Sequence, residues 1–186
     1  GWTATYTYHI TDDCGNAVAS DVVITYSGGN QDAPVLTGVL PTGQTGINAC
    51  MSNAPEGPTE ADIAALYNDN CGTVSVTKSG APTGTNCNWT VTYTYHITDN
   101  CGNAVINDVL VTYSGGDQSA PVLTGTLPVG QTGVDACLSN APAGPSETDI
   151  AALYADNCST VHVTKSGAPT GTNCNWTAAY TYHIAD

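Results

Sequence analysis

The chain has 186 residues, with two Lys, no Arg and sixteen Asp plus Glu, for a formal net charge of −14 at pH 7. Nucleic acid and anionic membrane surfaces both require a basic patch, so neither is expected as a partner. No apolar run approaches the ~18–20 residues of a membrane span, so no membrane insertion is expected either.

From its first residues the chain reads as a β-strand. Trp2 to Thr11 alternates apolar and polar types, and Asp12-Asp13-Cys14-Gly15-Asn16 then turns the chain. Val22, Ile24 and Tyr26 share one parity in a second strand, which Ser27-Gly28-Gly29-Asn30 ends. Residues 1–29 are thus expected to be a hairpin, the closing part of a preceding module. Because the chain opens inside a strand, we expect it to be an excerpt of a longer secreted protein.

Trp2, Trp89 and Trp176 are spaced by 87 (89 − 2 and 176 − 89), and the rest of the chain repeats at that interval. A complete module is expected over 30–116. It opens with Ala33-Pro34 and an apolar strand from Val35 to Leu40. Residues 42–58, rich in Gly, Pro, Asn and Ser, read as loop. The one helical segment is Thr59 to Tyr67. Thr59 is placed to cap it, Glu60 and Asp62 suit the helix dipole, and Ile63, Leu66 and Tyr67 give it one apolar side. Val74 and Val76 alternate in the strand that follows, and Ser79 to Gly84 reads as a turn. In the long strand after it, Trp89, Val91, Tyr93, Tyr95 and Ile97 lie on one side, with Thr90, Thr92, Thr94, His96 and Thr98 on the other. Val105 to Tyr113 closes the module. Residues 117–186 repeat the order, with a helix from Ser146 to Tyr154, and lack the last strand. The expected class is therefore all-β with one short helix per repeat, as tandem immunoglobulin-like β-sandwich modules.

Three stretches carry a resemblance. They are Asp117-Gln118-Ser119-Ala120-Pro121-Val122-Leu123-Thr124-Gly125, then Asp69-Asn70-Cys71-Gly72-Thr73-Val74, and Tyr93-Thr94-Tyr95-His96-Ile97-Thr98-Asp99-Asn100-Cys101-Gly102-Asn103. Together they resemble the hyalin-repeat-like (HYR-like), immunoglobulin-type modules of very large Bacteroidota surface adhesins exported by type IX secretion, some linked to gliding motility. The resemblance spans the chain. It implies a stalk repeat, secreted to the cell surface or outside the cell, with neighbouring repeats or filament subunits as partners and no catalytic residues.

The eight Cys fall at 14, 50, 71 and 87, and again at 101, 137, 158 and 174. No two stand at the short spacing of structural zinc sites, so they read as a disulfide framework in an oxidising compartment. Two disulfides per module would compensate for a small core. Cys87 and Cys101 bracket a strand whose ten residues span ~33 Å, too far for a disulfide. Cys71 and Cys87 fall at opposite ends of the Val74 strand. The expected pairs are therefore Cys71–Cys101 and Cys50–Cys87, with Cys137–Cys174 by repetition. Cys158 and Cys14 are left without partners in the chain, unless chains joined head to tail bring those two together.

Other candidate chemistry is thin. The turn carboxylates Asp12, Asp99, Asp69 and Asp156 are candidates for calcium, with Asp13, Asp32 or Asp117 joining them. The plainer reading is that they bind their own backbone. His9, His96 and His183 fall on the polar parity, and His162 is matched by Ser75. Lys78 and Lys165 share parity with valines, which suggests snorkelling ammonium groups or an isopeptide crosslink to Asn or Asp. Asn88-Trp89-Thr90, Asn175-Trp176-Thr177 and Asn157-Cys158-Ser159 match an N-glycosylation pattern that has no meaning in a bacterial protein. With no acid–base pair, nucleophile or phosphate loop, an enzyme is not expected. The expected function is a structural stalk or filament that projects a binding end and resists force and proteolysis; trypsin has only two lysines to cut. The rival readings are a glycan- or protein-binding module and a subunit that polymerises head to tail.

Overall fold

A computed structural model describes all residues, 1–186. The chain is mostly β-strand, with two short α-helices. It divides into two compact units interleaved along the sequence. The first takes Gly1–Thr42, Gly57–Gly80 and Tyr93–Val111; the second takes Gly43–Glu56, Ala81–Thr92 and Thr112–Asp186.

In the first unit, β1 (Trp2–Tyr8) and β2 (Val22–Gly28) form the expected antiparallel hairpin, from Trp2 opposite Gly28 to Tyr8 opposite Val22. Its apolar side is open: Trp2, Tyr6, Tyr8 and Tyr26 are all more than half exposed. The apolar strand expected over 35–40 is only β3 (Val35–Leu36). Pro41 is not what ends it. The N–H groups of Thr37 and Gly38 donate to the Leu66 carbonyl, and a Cβ on Gly38 would sit 2.6 Å from Leu66 Cδ2, which turns the chain early.

Residues 42–58 are more ordered than a loop. They contain β4 (Gln44–Asn48), in the second unit, and a single 3₁₀ turn at Met51–Asn53. The helix, α1 (Glu60–Ala64), is shorter than expected. Thr59 caps it reciprocally. Its hydroxyl accepts from the Asp62 N–H at 3.1 Å, and Asp62 Oδ2 accepts from the Thr59 N–H at 2.9 Å. At the other end the Ala65 and Leu66 N–H groups bond back, and Tyr67–Asn68 leaves as β5, paired with β3. Ile63 is fully buried, and α1 packs on β6 (Val74–Ser79). The Lys78 N–H donates to Glu60 Oε1 at 2.9 Å and fastens the helix to that strand.

The turn at 79–84 gives way to β7 (Thr83–Thr85), which pairs with the start of β8 (Asn88–Asp99). The alternation read in β8 is the burial observed. Trp89, Val91, Tyr93, Tyr95 and Ile97 are all buried, and so is Asp99 on the same parity. The closing strand, β9 (Val109–Gly116), starts later and runs further than the expected 105–113. Asp108 just before it is held by His96 Nδ1 at 2.8 Å, and Ala104 is tied to Thr98 by an isolated bridge. β4, β9, β8 and β6 lie side by side in one sheet, β7 joining at β8; β4 runs parallel to β9 with a register shift between Gln44 and Ile47.

Many of these elements recur 87 residues further on in the second unit, although the stretch matching β4 forms no strand and that matching β8 is split in two. β10 (Val122–Leu123) corresponds to β3, and α2 (Glu147–Ala151) to α1, again shorter than the expected Ser146–Tyr154. Ser146 provides the same capping box with Asp149. β11 (Tyr154–Ala155) pairs with β10, β12 (His162–Ser166) with β15 (Thr181–Ala185), and β13 (Pro169–Thr172) with β14 (Asn175–Ala178). No helix is long and apolar enough to cross a membrane.

Candidate functional site

Two features concentrate the chemistry: a cysteine pair in the second unit and a polar node in the first. The cysteine pair corrects the sequence reading. Cys50 is bonded to Cys158, with Cα atoms 5.1 Å apart and a sequence separation of 108. The expected pairs Cys50–Cys87, Cys71–Cys101 and Cys137–Cys174 are absent; Cys14, Cys71, Cys87, Cys101, Cys137 and Cys174 are free and exposed.

The reason lies in what reaches the end of the Trp89 strand. Cys50 does lie beside the segment that holds Cys87, because the Met51 N–H donates to Asn86 Oδ1 at 3.2 Å and Trp89 Nε1 donates to the Ala49 carbonyl at 2.8 Å. The turn Asp156–Ser159 also docks there. Asn86 Nδ2 donates to the Cys158 carbonyl, and Cys50 Sγ lies 3.2 Å from the Asn157 carbonyl. Cys50 is buried and faces this turn, while Cys87 is left at the surface. Elimination among the four cysteines of one period left out a partner from the next.

Similar contacts continue along the same edge. The Asp117 N–H donates to the Asn86 carbonyl at 2.8 Å, and the Gln118 N–H donates to Asn48 Oδ1 at 2.9 Å. Of the other cysteines, Cys71 and Cys101 share a cleft of about 590 Å³ in the first unit with Gly1, Trp2, Asn30 and Asp32.

The polar node centres on Asn30. Its Nδ2 donates to Asp69 Oδ1 at 3.1 Å and to Asp99 Oδ2 at 2.8 Å, so a neutral amide ties two carboxylates together. Asp99 also accepts from the Cys101 and Asn103 N–H groups at 2.9 and 2.8 Å and from Asn103 Nδ2 at 2.7 Å. Burial pushes its carboxyl up, but the donors from Asn103, Cys101 and Gly102 outweigh burial and hold it below the usual carboxylate range. Parity along β8 was the signal for the burial of Asp99; nothing in the spacing marked Asn30 as its partner.

Of the calcium candidates, Asp12 is committed to its own turn. Oδ1 accepts from the Cys14 and Asn16 N–H groups and Oδ2 from Asn16 Nδ2, and these donors, the Asn16 amide first, lower its pKa. Asp69 and Asp99 meet at the Asn30 amide. Asp156 accepts from the Cys158 N–H at 2.8 Å, the leading cause of its lowered pKa, and from the Ser159 N–H and hydroxyl.

His9 and His96 lie on exposed strand faces and bond Asp21 and Asp108 at 2.7 and 2.8 Å. His162 and His183 are exposed as well. Lys165 Nζ donates to the Ala143 and Pro145 carbonyls and sits 4.4 Å from the centre of the Tyr180 ring, so its donors meet carbonyls and a ring face. Lys78 lies over Tyr93 in the same way, at 4.3 Å. Comparison with protein-family models, with curated proteins and with solved structures found no match.

Proposed function

We propose that the chain is a run of immunoglobulin-type β-sandwich repeats from the stalk of a secreted cell-surface adhesin or extracellular filament. The observation that carries this reading is the place of the disulfide in the period. One period on from Cys50 is Cys137, and one period back from Cys158 is Cys71. Cys50 and Cys158 therefore occupy different positions in successive periods, and their bond joins one period to the next. A disulfide inside a module braces that module alone. A disulfide across the junction also holds when the junction is pulled, and it closes a long loop, which limits the unfolded chain.

The hydrogen bonds from Asp117, Gln118 and Asn86 beside it support the same role, because they join segments of successive periods. The partners are then the neighbouring repeats of the chain and, in a filament, other subunits. The acidic surface and the scarcity of lysine suit an exposed, protease-resistant position outside the cell. The HYR-like resemblance suggests a Bacteroidota adhesin exported by type IX secretion. An enzyme is not the reading these features favour.

Small-angle scattering of polypeptides with one, two and four 87-residue periods tests the stalk. The maximum dimension should rise by the same increment with each added period. A length that grows only as the cube root of the mass would rule the stalk out.

A further inference from the structure

The cleft beside Cys71 has a filled counterpart in the same chain. In the second unit, segment 47–50 is seated against residues that lie one period on from the cleft walls. The Ala49 N–H donates to the Gly116 carbonyl at 3.3 Å, and Trp89 Nε1 donates to the Ala49 carbonyl at 2.8 Å. The Gln118 N–H donates to Asn48 Oδ1 at 2.9 Å, and Asn48 Nδ2 donates to Ser119 Oγ at 3.3 Å. Cys50 completes the seat through its bond to Cys158.

One period back, these wall residues are Gly29, Trp2, Gln31, Asp32 and Cys71, and all of them line the cleft of about 590 Å³ in the first unit. The walls are built in the same way. The Trp2 ring lies over Gly28 as the Trp89 ring lies over Gly115, since a Cβ on either glycine would come within 2.9 or 2.7 Å of its tryptophan Cζ2. The Cys71 N–H donates to Asp69 Oδ1 at 2.9 Å, as the Cys158 N–H donates to Asp156 Oδ1 at 2.8 Å. The first cleft, however, is open. Trp2 is 59% exposed where Trp89 is 1% exposed, and Cys71 is a free, exposed thiol.

The chain holds one further segment of the kind that fills the seat. Residues 134–137 read Val-Asp-Ala-Cys where 47–50 read Ile-Asn-Ala-Cys, and Cys137 is free and exposed. This segment keeps the form of the Cys50 segment: Trp176 Nε1 donates to the Ala136 carbonyl at 2.7 Å, and the Leu138 N–H donates to Asn173 Oδ1 at 3.1 Å. We propose that segment 134–137 of one chain docks in the Cys71 cleft of a second copy, and that Cys137 and Cys71 then form an intermolecular disulfide. The Ala136 carbonyl exchanges its Trp176 donor for Trp2 of the second copy, the Ala136 N–H meets the Gly29 carbonyl, and the Gln31 N–H meets Asp135. One contact is worse than in the filled seat. Asp135 and Asp32 stand where Asn48 and Ser119 bond, so two carboxylates face each other, although Asn70 Nδ2 holds Asp32 Oδ2 at 2.8 Å.

The oxidant is a small-molecule disulfide such as oxidised glutathione. The Cys71 thiolate displaces one glutathione from it, and the Cys137 thiolate then displaces the other from Cys71. Two protein thiols become one disulfide, and one glutathione disulfide becomes two thiols. Each chain carries one cleft and one segment, so the contact is heterologous and propagates head to tail. The inference rests on the filament form of the stalk reading and names its contact. Scattering from continuous repeats and crosslinking between copies can each fail without the other.

The test is incubation of the 186-residue chain with oxidised and reduced glutathione in about 0.15 M salt, which screens repulsion between chains of net charge −14. Alkylated products are resolved on non-reducing gels and by peptide mapping. A ladder joined by Cys71–Cys137 is expected. Cys71→Ser and Cys137→Ser should each stay monomeric alone, and their mixture should stop at the dimer, because one cleft and one segment remain between them. Trp2→Ala keeps every thiol and should lower the yield of the link by about tenfold. Asp135→Asn removes the carboxylate that faces Asp32 and should raise the yield. The proposal would be overturned by a chain that stays monomeric or that bonds Cys71 to its own Cys101. Oligomers joined through mixed pairs of the six free cysteines, or a Trp2→Ala yield equal to the parent's, would also overturn it.

Discussion

Asp99 shows at the scale of a single residue how this chain handles charge. Its carboxylate is buried, yet it stays ionised because five polar groups surround it, among them the amides of Asn30 and Asn103 and the N–H of Cys101. Its pKa in the folded state lies below the ordinary ~3.9 of a carboxyl in an unfolded chain. The folded state therefore binds fewer protons than the unfolded one near that pH. The stability this supplies is complete above about pH 4 and is lost as pH falls through the depressed folded value. Asp12, Asp62, Asp149 and Asp156 shift in the same direction and add to the same acid limb. Asp99→Asn should weaken the first unit at neutral pH, because the new amide nitrogen would face the donors of Asn30 and Asn103. It should also flatten the loss of stability below about pH 4, as followed by urea unfolding across pH. An unchanged acid limb would show that other carboxyls dominate it.

Elements were legible where one local rule acted alone. β8 is the clearest case, since strict alternation on a half-buried strand leaves no second solution, and even Asp99 obeys it. The helix was legible in its start, where Thr59 and Asp62 form the reciprocal cap, but not in its end. Leu66 and Tyr67 fit a helical face, yet the Leu66 carbonyl accepts from Thr37 and Gly38 and Tyr67 pairs with Leu36, so a distant strand takes the last turn. β4 was not legible, because a Gly-rich stretch reads as loop until a partner is known. Its place beside β9 depends on glycine: a Cβ on Gly115 would come within 2.7 Å of the Trp89 ring. Gly57 is a similar case. It holds φ +69°, and a Cβ there would sit 2.7 Å from Tyr93 Cδ2. The cap itself is open to measurement. Thr59→Ala removes the hydroxyl that receives the Asp62 N–H and should cost about 1 kcal/mol in denaturant unfolding, with the slope unchanged. A loss below a few tenths would mean that packing of Ile63 on β6 holds the helix without the cap.

For the whole molecule, the 87-residue period was visible in the sequence, whereas the covalent link between periods was not. The spacing of the cysteines is the same whether bonds close within a period or across two. Only the docking of the 156–159 turn beside Cys50 separates the cases. The same ambiguity applied to the carboxylates, whose grouping follows from segments far apart in sequence meeting at one place: Asn30, Asp69 and Asp99 in the first unit, and Asp117, Asp156 and Asp186 in the second. Cys50–Cys158 links positions in successive periods, and single-molecule extension reads that link out. Pulled from its ends without reductant, the unfolded chain should be shorter than its contour length, because the stretch between the two cysteines, a sequence separation of 108, stays locked in a loop. Adding reductant, or substituting Cys50→Ser, should release roughly 360–390 Å of further extension from that loop. Full extension in the absence of reductant, or a release of only the few tens of residues that a bond within one period would enclose, would contradict the account.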